Sequence, residues 1–274
     1  MTDTSPPSPD AVDYVSGATR LFGIVGDPIQ QVRSPEMFTA EFRRRGLDAI
    51  LVPLHVLPGD FDACVDGLLR LRNLDGLIFT IPYKARALGL ASELGAQARV
   101  VGAVNALARQ GNAWRAEIFD GLGCVEAFAR RGVPLAGRRL MLIGAGGAGS
   151  AVGVALAHER PAFMRLFDID TARSQSLVEK IQSVSPATMV EVAVPRVDDV
   201  DVLLNVSPVG MLDDARLPIA ADRLPAHLVV FDAIVKPDRT PLIRFAQESG
   251  CTIIYGREMM RGQISRMVDF FTSA

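Results

Sequence analysis

From Thr19 onward, short apolar runs alternate with segments whose apolar residues recur every three or four positions. Brief apolar runs bounded by turn residues read as buried strands, and the longer period reads as helices with one face turned inward. The pattern predicts strands over 20–25, 49–54, 75–80 and 103–108, the last turning into a hairpin around Gln110-Gly-Asn112. Helices are predicted over 34–45, 61–71 and 84–94. Ser34-Pro35 opens the first, since Ser suits an N-cap and Pro the first helical position. Phe61, Val65, Leu68 and Leu69 mark the inward face of the second, and Pro82 stops the strand before the third. Farther on, helices over 122–130, 151–157, 172–182 and 259–270 alternate with strands over 140–143, 163–167, 190–194, 202–205, 229–232 and 252–255. Such alternation is the mark of an α/β protein built on parallel sheets.

One unit of this series carries chemistry in its backbone. The strand over 140–143 runs into Gly144-Ala-Gly146-Gly147-Ala-Gly149, then a helix, then the strand over 163–167, which ends at Asp168. Strand, G-x-G-x-x-G turn, helix, strand and acid in this order form the dinucleotide-binding fingerprint. Gly144 permits the tight turn, Gly146 admits a pyrophosphate close to the backbone, and Gly149 lets helix and strand approach. The helix N-terminus offers free N–H groups and the positive end of a dipole. The expected organisation is therefore a tail over 1–18, a first α/β domain over 19–120 joined by a returning helix over 256–274, and a Rossmann-type dinucleotide-binding domain over 121–255.

Composition narrows the class. With 49% hydrophobic and 22% charged residues the chain can build a sizeable core, and a net charge of −2 gives no electrostatic footprint for nucleic acid or an anionic membrane. Cys64, Cys124 and Cys251 are isolated and are expected to be reduced core thiols of a cytoplasmic protein. His55, His158 and His227 lie far apart, so no metal site is expected. No apolar stretch approaches the ~18 residues of a membrane span. The Ser5-Pro-Pro-Ser-Pro-Asp10 stretch reads as a disordered tail.

In open α/β sheets ligands sit beyond the carboxyl ends of the strands, so polar residues there are the candidates for function. Thr80-Ile-Pro-Tyr-Lys84 follows one strand and opens the helix expected over 84–94, Asn105 sits in Gly102-Ala-Val-Asn105, and Asp120 follows Ile118-Phe119. A lysine at a helix start runs against the helix dipole, which points to a role other than stability. Taken alone, Lys84 fits a solvated surface residue equally well, Asn105 a turn residue and Asp120 an N-cap for the helix from Leu122.

A wider set of motifs changes that balance. Gly26-Asp-Pro28 with Ser34-Pro35, Thr80-x-Pro-x-Lys84, Gly102-Ala-Val-Asn105, Asp120-Gly121, Gly144-Ala-Gly-Gly147, Asn205-x-Ser-Pro-Val-Gly-Met211, Asp232 with Thr240-Pro-Leu242, and Gln263 occur in this order. Together they resemble the shikimate/quinate dehydrogenase family over nearly the whole chain, from about Leu21 to the end. The resemblance implies a two-domain NAD(P)-dependent oxidoreductase with its active site in the cleft between domains. Lys84 and Asp120 match the family's catalytic pair, and Ser34, Thr80, Asn105 and Gln263 its substrate contacts. Gly144, Gly146, Gly147, Gly149, Asp168, Asn205 and Gly256 match the cofactor-contacting set. A small-molecule substrate is expected, in a monomer or homodimer.

The chain also departs from that pattern. Val32 stands where the family usually has a serine, Ile78 where it has an asparagine, Ile118-Phe119 where it has Asn-Thr, and Val235 where it has a tyrosine. The pocket is therefore expected to be unusually apolar, with Arg33 either replacing a lost carboxylate contact or simply exposed. Asp168-Ile-Asp170 stands where NADP-preferring members carry Asn-Arg-Thr, so NAD is expected to be preferred over NADP, with Arg173 nearby as the one softening charge. Two other readings remain at this stage: a family paralogue with a less polar substrate, and a catalytically silent nucleotide-binding module.

Overall fold

A computed structural model describes residues 15–273; most of the tail expected over 1–18 therefore lies outside the described residues. The first α/β unit comprises β1 (Arg20–Gly26), α1 (Ser34–Arg44), β2 (Ala49–His55), α2 (Phe61–Leu69), β3 (Leu74–Phe79), β4 (Glu93–Leu94), α3 (Ala96–Val101), β5 (Ala106–Gln110) and β6 (Ala113–Glu117). Its sheet has the order β2-β1-β3-β5-β6-β4. The β2, β1 and β3 strands run parallel, whereas β5 is antiparallel to both β3 and β6. The second unit comprises α4 (Asp120–Arg130), β7 (Arg139–Ile143), α5 (Gly147–His158), β8 (Phe163–Phe167), α6 (Thr171–Val184), β9 (Val190–Val192), β10 (Val202–Asn205), β11 (Val229–Asp232), α7 (Pro241–Glu248) and β12 (Thr252–Tyr255). Its strands are all parallel in the order β12-β11-β10-β7-β8-β9, so the winding reverses between β7 and β10. That reversal opens the crevice where doubly wound sheets bind nucleotides.

The last helix, α8 (Gly256–Thr272), leaves β12 without a linker and returns to the first sheet. Its Phe271 packs 5.1 Å from Phe22 of β1 and 6.3 Å from Phe38 of α1, with Phe42 tilted against Phe22 at 4.8 Å. These rings are fully or almost fully buried, and each buried Phe contributes about 1.5–3 kcal/mol of hydrophobic stabilisation. The second sheet has its own core, where Phe128 of α4 lies 5.9 Å from Phe231 of β11 over Leu142, Leu166 and Leu204.

One expected helix is absent. Residues 84–94 form turns, a 3₁₀ segment over Arg86–Leu90 and the short β4, and the helix of this region is α3 instead. The edge of β6 captures the backbone here, as Ser92 N–H donates to the Trp114 carbonyl at 2.9 Å and Gly95 N–H to Ala116 at 2.8 Å. Gly89 weakens the competing helix. Lys84 thus sits in a turn, and the dipole argument for it lapses. Only Cys124 is a core thiol, its pKa pushed up by burial; Cys251 is half-buried and Cys64 is exposed on α2, so the expected burial fails for both. No helix among the described residues is long and apolar enough to cross a membrane.

Candidate active site

The carboxyl ends of β1, β3, β10 and β11 face one cleft of about 230 Å³, walled by both sheets and floored by α8. Ser34, Thr80, Lys84, Asn105, Asp120, Gly256 and Gln263 all line it. Five separate chain segments therefore converge on a single space.

At its centre Lys84 Nζ donates to Asp120 Oδ2 at 2.6 Å, with the two side chains only 14% and 7% exposed. Both ends of this pair are held by backbone. Val104 N–H donates to the Lys84 carbonyl at 2.8 Å, and the preceding Tyr83 is anchored in the core. Its hydroxyl donates to the Val56 carbonyl and its ring stacks on Phe61 at 4.5 Å. Asp120 is the first residue of α4 and Phe119 occupies the N-cap position, which removes the capping reading. An acid at that position is favoured by the helix dipole and remains free to face Lys84.

Asn105 is 3% exposed and organises the neighbourhood. Its Oδ1 accepts from Phe119 N–H at 3.0 Å, which fixes the amide orientation; its Nδ2 then donates to Gln263 Oε1 at 3.1 Å. Gln263 itself lines the cleft, and its Nε2 has no hydrogen-bond partner among the described residues. Gln31, also in the lining, donates through Nε2 to the Pro28 carbonyl at 2.6 Å, while its Oε1 is buried without a partner.

The remaining wall is apolar. Val32, Phe38, Ile78, Val235, Ile264 and Met267 line the cleft, and Val32, Phe38, Ile78, Ile264 and Met267 belong to one packed cluster with Phe22. Arg33 lies at the rim with half its side chain exposed and its guanidinium on Glu36 at 2.6 Å.

The glycine turn lies beside this space. Gly144 has φ +99°, and a Cβ at Gly149 would stand 1.9 Å from the Gly144 carbonyl oxygen. Neither position tolerates a side chain. A Cβ at Gly146 would meet no atom within 4 Å, so the turn presents an open cradle at the free N–H groups of α5. Those features fit a dinucleotide pyrophosphate. A Cβ at Gly147 would fall 3.1 Å from the Lys84 Cβ, so the start of α5 abuts the Lys84–Asp120 pair directly.

Asp168 follows β8 at the far side of the turn. Its Oδ2 accepts from Ala145 N–H at 2.7 Å and its Oδ1 from Asp170 N–H at 2.9 Å. Asp170 caps α6 through Ala172 N–H and pairs with Arg173 at 3.3 Å. Asn205 is fully buried, and its role in the structure is to fold the loop that follows it. Its Oδ1 accepts from Ser207 Oγ at 2.6 Å and its Nδ2 donates to Val209 O and to Asp232 Oδ1. Asp232, 1% exposed, also accepts from Thr240 Oγ1 at 2.6 Å, and burial pushes its pKa up to about 6. This network shapes Val206, Ser207 and Pro208, which do line the cleft.

Sequence reasoning missed several lining residues. Met259, Gln263 and Met267 recur four apart on α8, a spacing that would have put both methionines on the face of Gln263. Gln31 and Lys236 gave no comparable signal.

With the geometry described, the chain can be set beside known proteins. A model of the shikimate dehydrogenase substrate binding domain matches residues 24–107. The shikimate dehydrogenase (NADP(+)) of Geobacter metallireducens is 33% identical over 257 residues, covering 91% of this chain and 90% of the relative. Among solved structures, the shikimate 5-dehydrogenase of Listeria monocytogenes in complex with shikimate and NAD is similar with a TM-score of 0.81 and 27% identity, covering 94% and 93% of the two chains. The quinate dehydrogenase of Corynebacterium glutamicum in complex with NAD is similar at 0.80 and 26%, covering 93% and 94%.

Proposed function

The chain belongs to the shikimate dehydrogenase family, and on that premise we propose that it interconverts an alcohol and a ketone on shikimate, quinate or a related cyclic hydroxy acid, with a nicotinamide dinucleotide as redox partner. The observation that carries this reading is the buried Lys84–Asp120 pair at 2.6 Å, set against the start of the helix that follows the dinucleotide turn. A nicotinamide bound there supplies or removes the hydride. The protein must move the matching proton and fix the reacting carbon.

In the direction of reduction, the Lys84 ammonium donates a proton to the oxygen that becomes the hydroxyl. In oxidation its neutral amine takes that proton back. Asp120 holds Nζ in place and balances its charge, so the two act as one proton-exchanging unit. Gln263, held by Asn105, offers Nε2 to a substrate oxygen, and the Ser34 and Thr80 hydroxyls offer further hydrogen bonds from the facing wall. A module that only senses nucleotide has no use for such a pair in its cleft. Absorbance at 340 nm, with NAD and NADP against shikimate, quinate and deoxygenated analogues, tests the reading. Turnover of a cyclic hydroxy acid is expected, and turnover of none overturns it. The apolar wall of Val32, Ile78 and Val235 favours a second reading, a substrate with fewer polar groups, which the same screen registers as a preference for the analogues.

We also infer that NAD is preferred over NADP. This reading is supported by Asp168 and Asp170, two carboxylates directly after β8 at the acidic position of the fingerprint, which would repel a 2′-phosphate, and by Arg173, which is drawn off into its pair with Asp170. Calorimetric titration of both cofactors should give tighter NAD binding, and Asp168→Ala should narrow the gap by about 1–3 kcal/mol. Equal or tighter NADP binding by the unaltered protein would contradict the inference.

A further inference from the structure

Arg33, Lys84 and Lys236 are the cations lining the cleft, and they differ in how their charge is balanced. Lys84 is neutralised by Asp120 and Arg33 by Glu36. Lys236 has no carboxylate partner among the described residues; its ammonium rests on the Gln30 carbonyl at 3.3 Å. That contact crosses the mouth of the cleft, from the loop after β11 to the loop between β1 and α1. It ends one residue before Gln31 and two before Val32, on the segment that leads to Ser34.

An acid entering this cleft must leave water beside an apolar wall, and its charge needs a counter-charge there. Lys84 is already paired and has the proton to handle. Arg33 would have to give up Glu36 and swing inward. Lys236 needs only to exchange a neutral carbonyl for an anion, a stronger acceptor for an ammonium. It also adjoins Val235, one of the positions where the wall has lost a polar group.

We propose that Lys236 is the residue that recognises the substrate's carboxylate, moving from the Gln30 carbonyl onto the acid and bridging the two walls of the cleft through it. The proposal rests on the reading of the site as one for a cyclic hydroxy acid. It makes Lys236 a specificity residue for the charge of the substrate, with no part in the proton transfer.

The test compares the unaltered protein, Lys236→Met and Lys236→Arg on shikimate or quinate and on the corresponding methyl ester, with saturating cofactor. Lys236→Met should raise KM for the acid by about three- to tenfold while kcat stays within about twofold, as expected for a lost charge-assisted bond from an exposed side chain at the cleft mouth. KM for the ester should not move, and Lys236→Arg should recover most of the acid's affinity. An equal rise for acid and ester would mean that Lys236 only latches the loops, and an unchanged KM for the acid would mean that it contributes nothing; either overturns the proposal. If the unaltered protein turns over neither acid, calorimetric titration of shikimate into the NAD-loaded protein separates the two claims. Binding that Lys236→Met abolishes keeps Lys236 as the carboxylate partner while the catalytic reading falls. Binding that Lys236→Met leaves intact, or no binding at all, overturns the proposal for Lys236.

Discussion

The two walls of the cleft are built on different principles. The nucleotide wall is made of backbone: a glycine turn with φ +99° at Gly144, a carbonyl that leaves no room for a Cβ at Gly149, and the N–H groups at the start of α5. The substrate wall is made of single side chains delivered by turns and helix starts, among them Ser34, Thr80, Lys84 and Asp120, with the body of α8 adding Gln263. Backbone sites obey local rules, because φ, close approach and helix polarity are set within a few residues. Side-chain sites obey only the topology that brings their pieces together. The contrast also separates what each wall can lose. A change in the turn disturbs the fold and the cofactor together, whereas a change in the substrate wall alters chemistry or selectivity and leaves the scaffold standing.

The sharpest way to break that contrast is Lys84→Ala. It should lower kcat by ~10²–10⁴ with cofactor affinity nearly intact, and Asp120→Asn should follow it, as loss of general acid–base help predicts. Steady-state kinetics with calorimetric titration of the cofactor checks both. Wild-type kcat in Lys84→Ala would return the lysine to the status of a surface residue.

On the other wall, Gly149→Ala should do the reverse. Its Cβ would stand 1.9 Å from a backbone oxygen, so the turn must shift. We expect a loss of about 1–3 kcal/mol in denaturant unfolding and a clear weakening of cofactor binding. Unchanged stability and cofactor affinity would show that the turn is softer than its packing implies.

Between the walls lies Asp232, and its effect depends on pH. Burial raises its folded pKa to about 6, above the ~3.9 of an unfolded aspartate. The folded state therefore holds the proton more tightly than the unfolded chain. The stabilisation from Asp232 is complete below about pH 4 and is lost as pH rises through about 6, by up to about 3 kcal/mol. Asp232→Asn removes this titration while keeping a group that can meet Asn205 and Thr240. Unfolding free energies measured from pH 4 to pH 7 should show the natural protein losing stability relative to the variant, and parallel curves would refute the shift.

The smallest effect is expected from Val32→Ser. Returning one hydroxyl to the apolar wall should raise kcat/KM on a carboxylate substrate by about tenfold at most, at a cost near 1 kcal/mol in stability because Val32 packs against the aromatic cluster. A fall in kcat/KM on the acid would favour the less polar substrate.

How much of this was legible in advance follows the same division. The strands over 202–205 and 229–232 have the bounds expected from their apolar runs, because a strand buried at every position advertises itself by composition, and the edge strand over 252–255 keeps its expected bounds as well. The segment 84–94 misled because its apolar spacing suits a helix, while the edge of β6, distant in sequence until the fold forms, claims its backbone. Asp120 read locally as a cap; only the arrival of Lys84 at 2.6 Å gives its carboxylate another partner. Asn205 drew attention by motif, yet its amide is wholly engaged in holding the loop over 206–210 and Asp232.

The sequence by itself determined the α/β architecture, the position of the dinucleotide turn and the residue types from which a catalytic pair could be drawn. Each of these depends on interactions within a few residues or on periodic burial, which the order of side chains records directly. The tertiary structure alone decided that Lys84 faces Asp120, that Asn105 orients Gln263, that Arg33 turns to Glu36, and that Lys236 reaches across the cleft to Gln30. Those pairings join positions from 3 to 206 residues apart. Side-chain rotation and chain topology fix them, and neither leaves a periodic trace in the sequence.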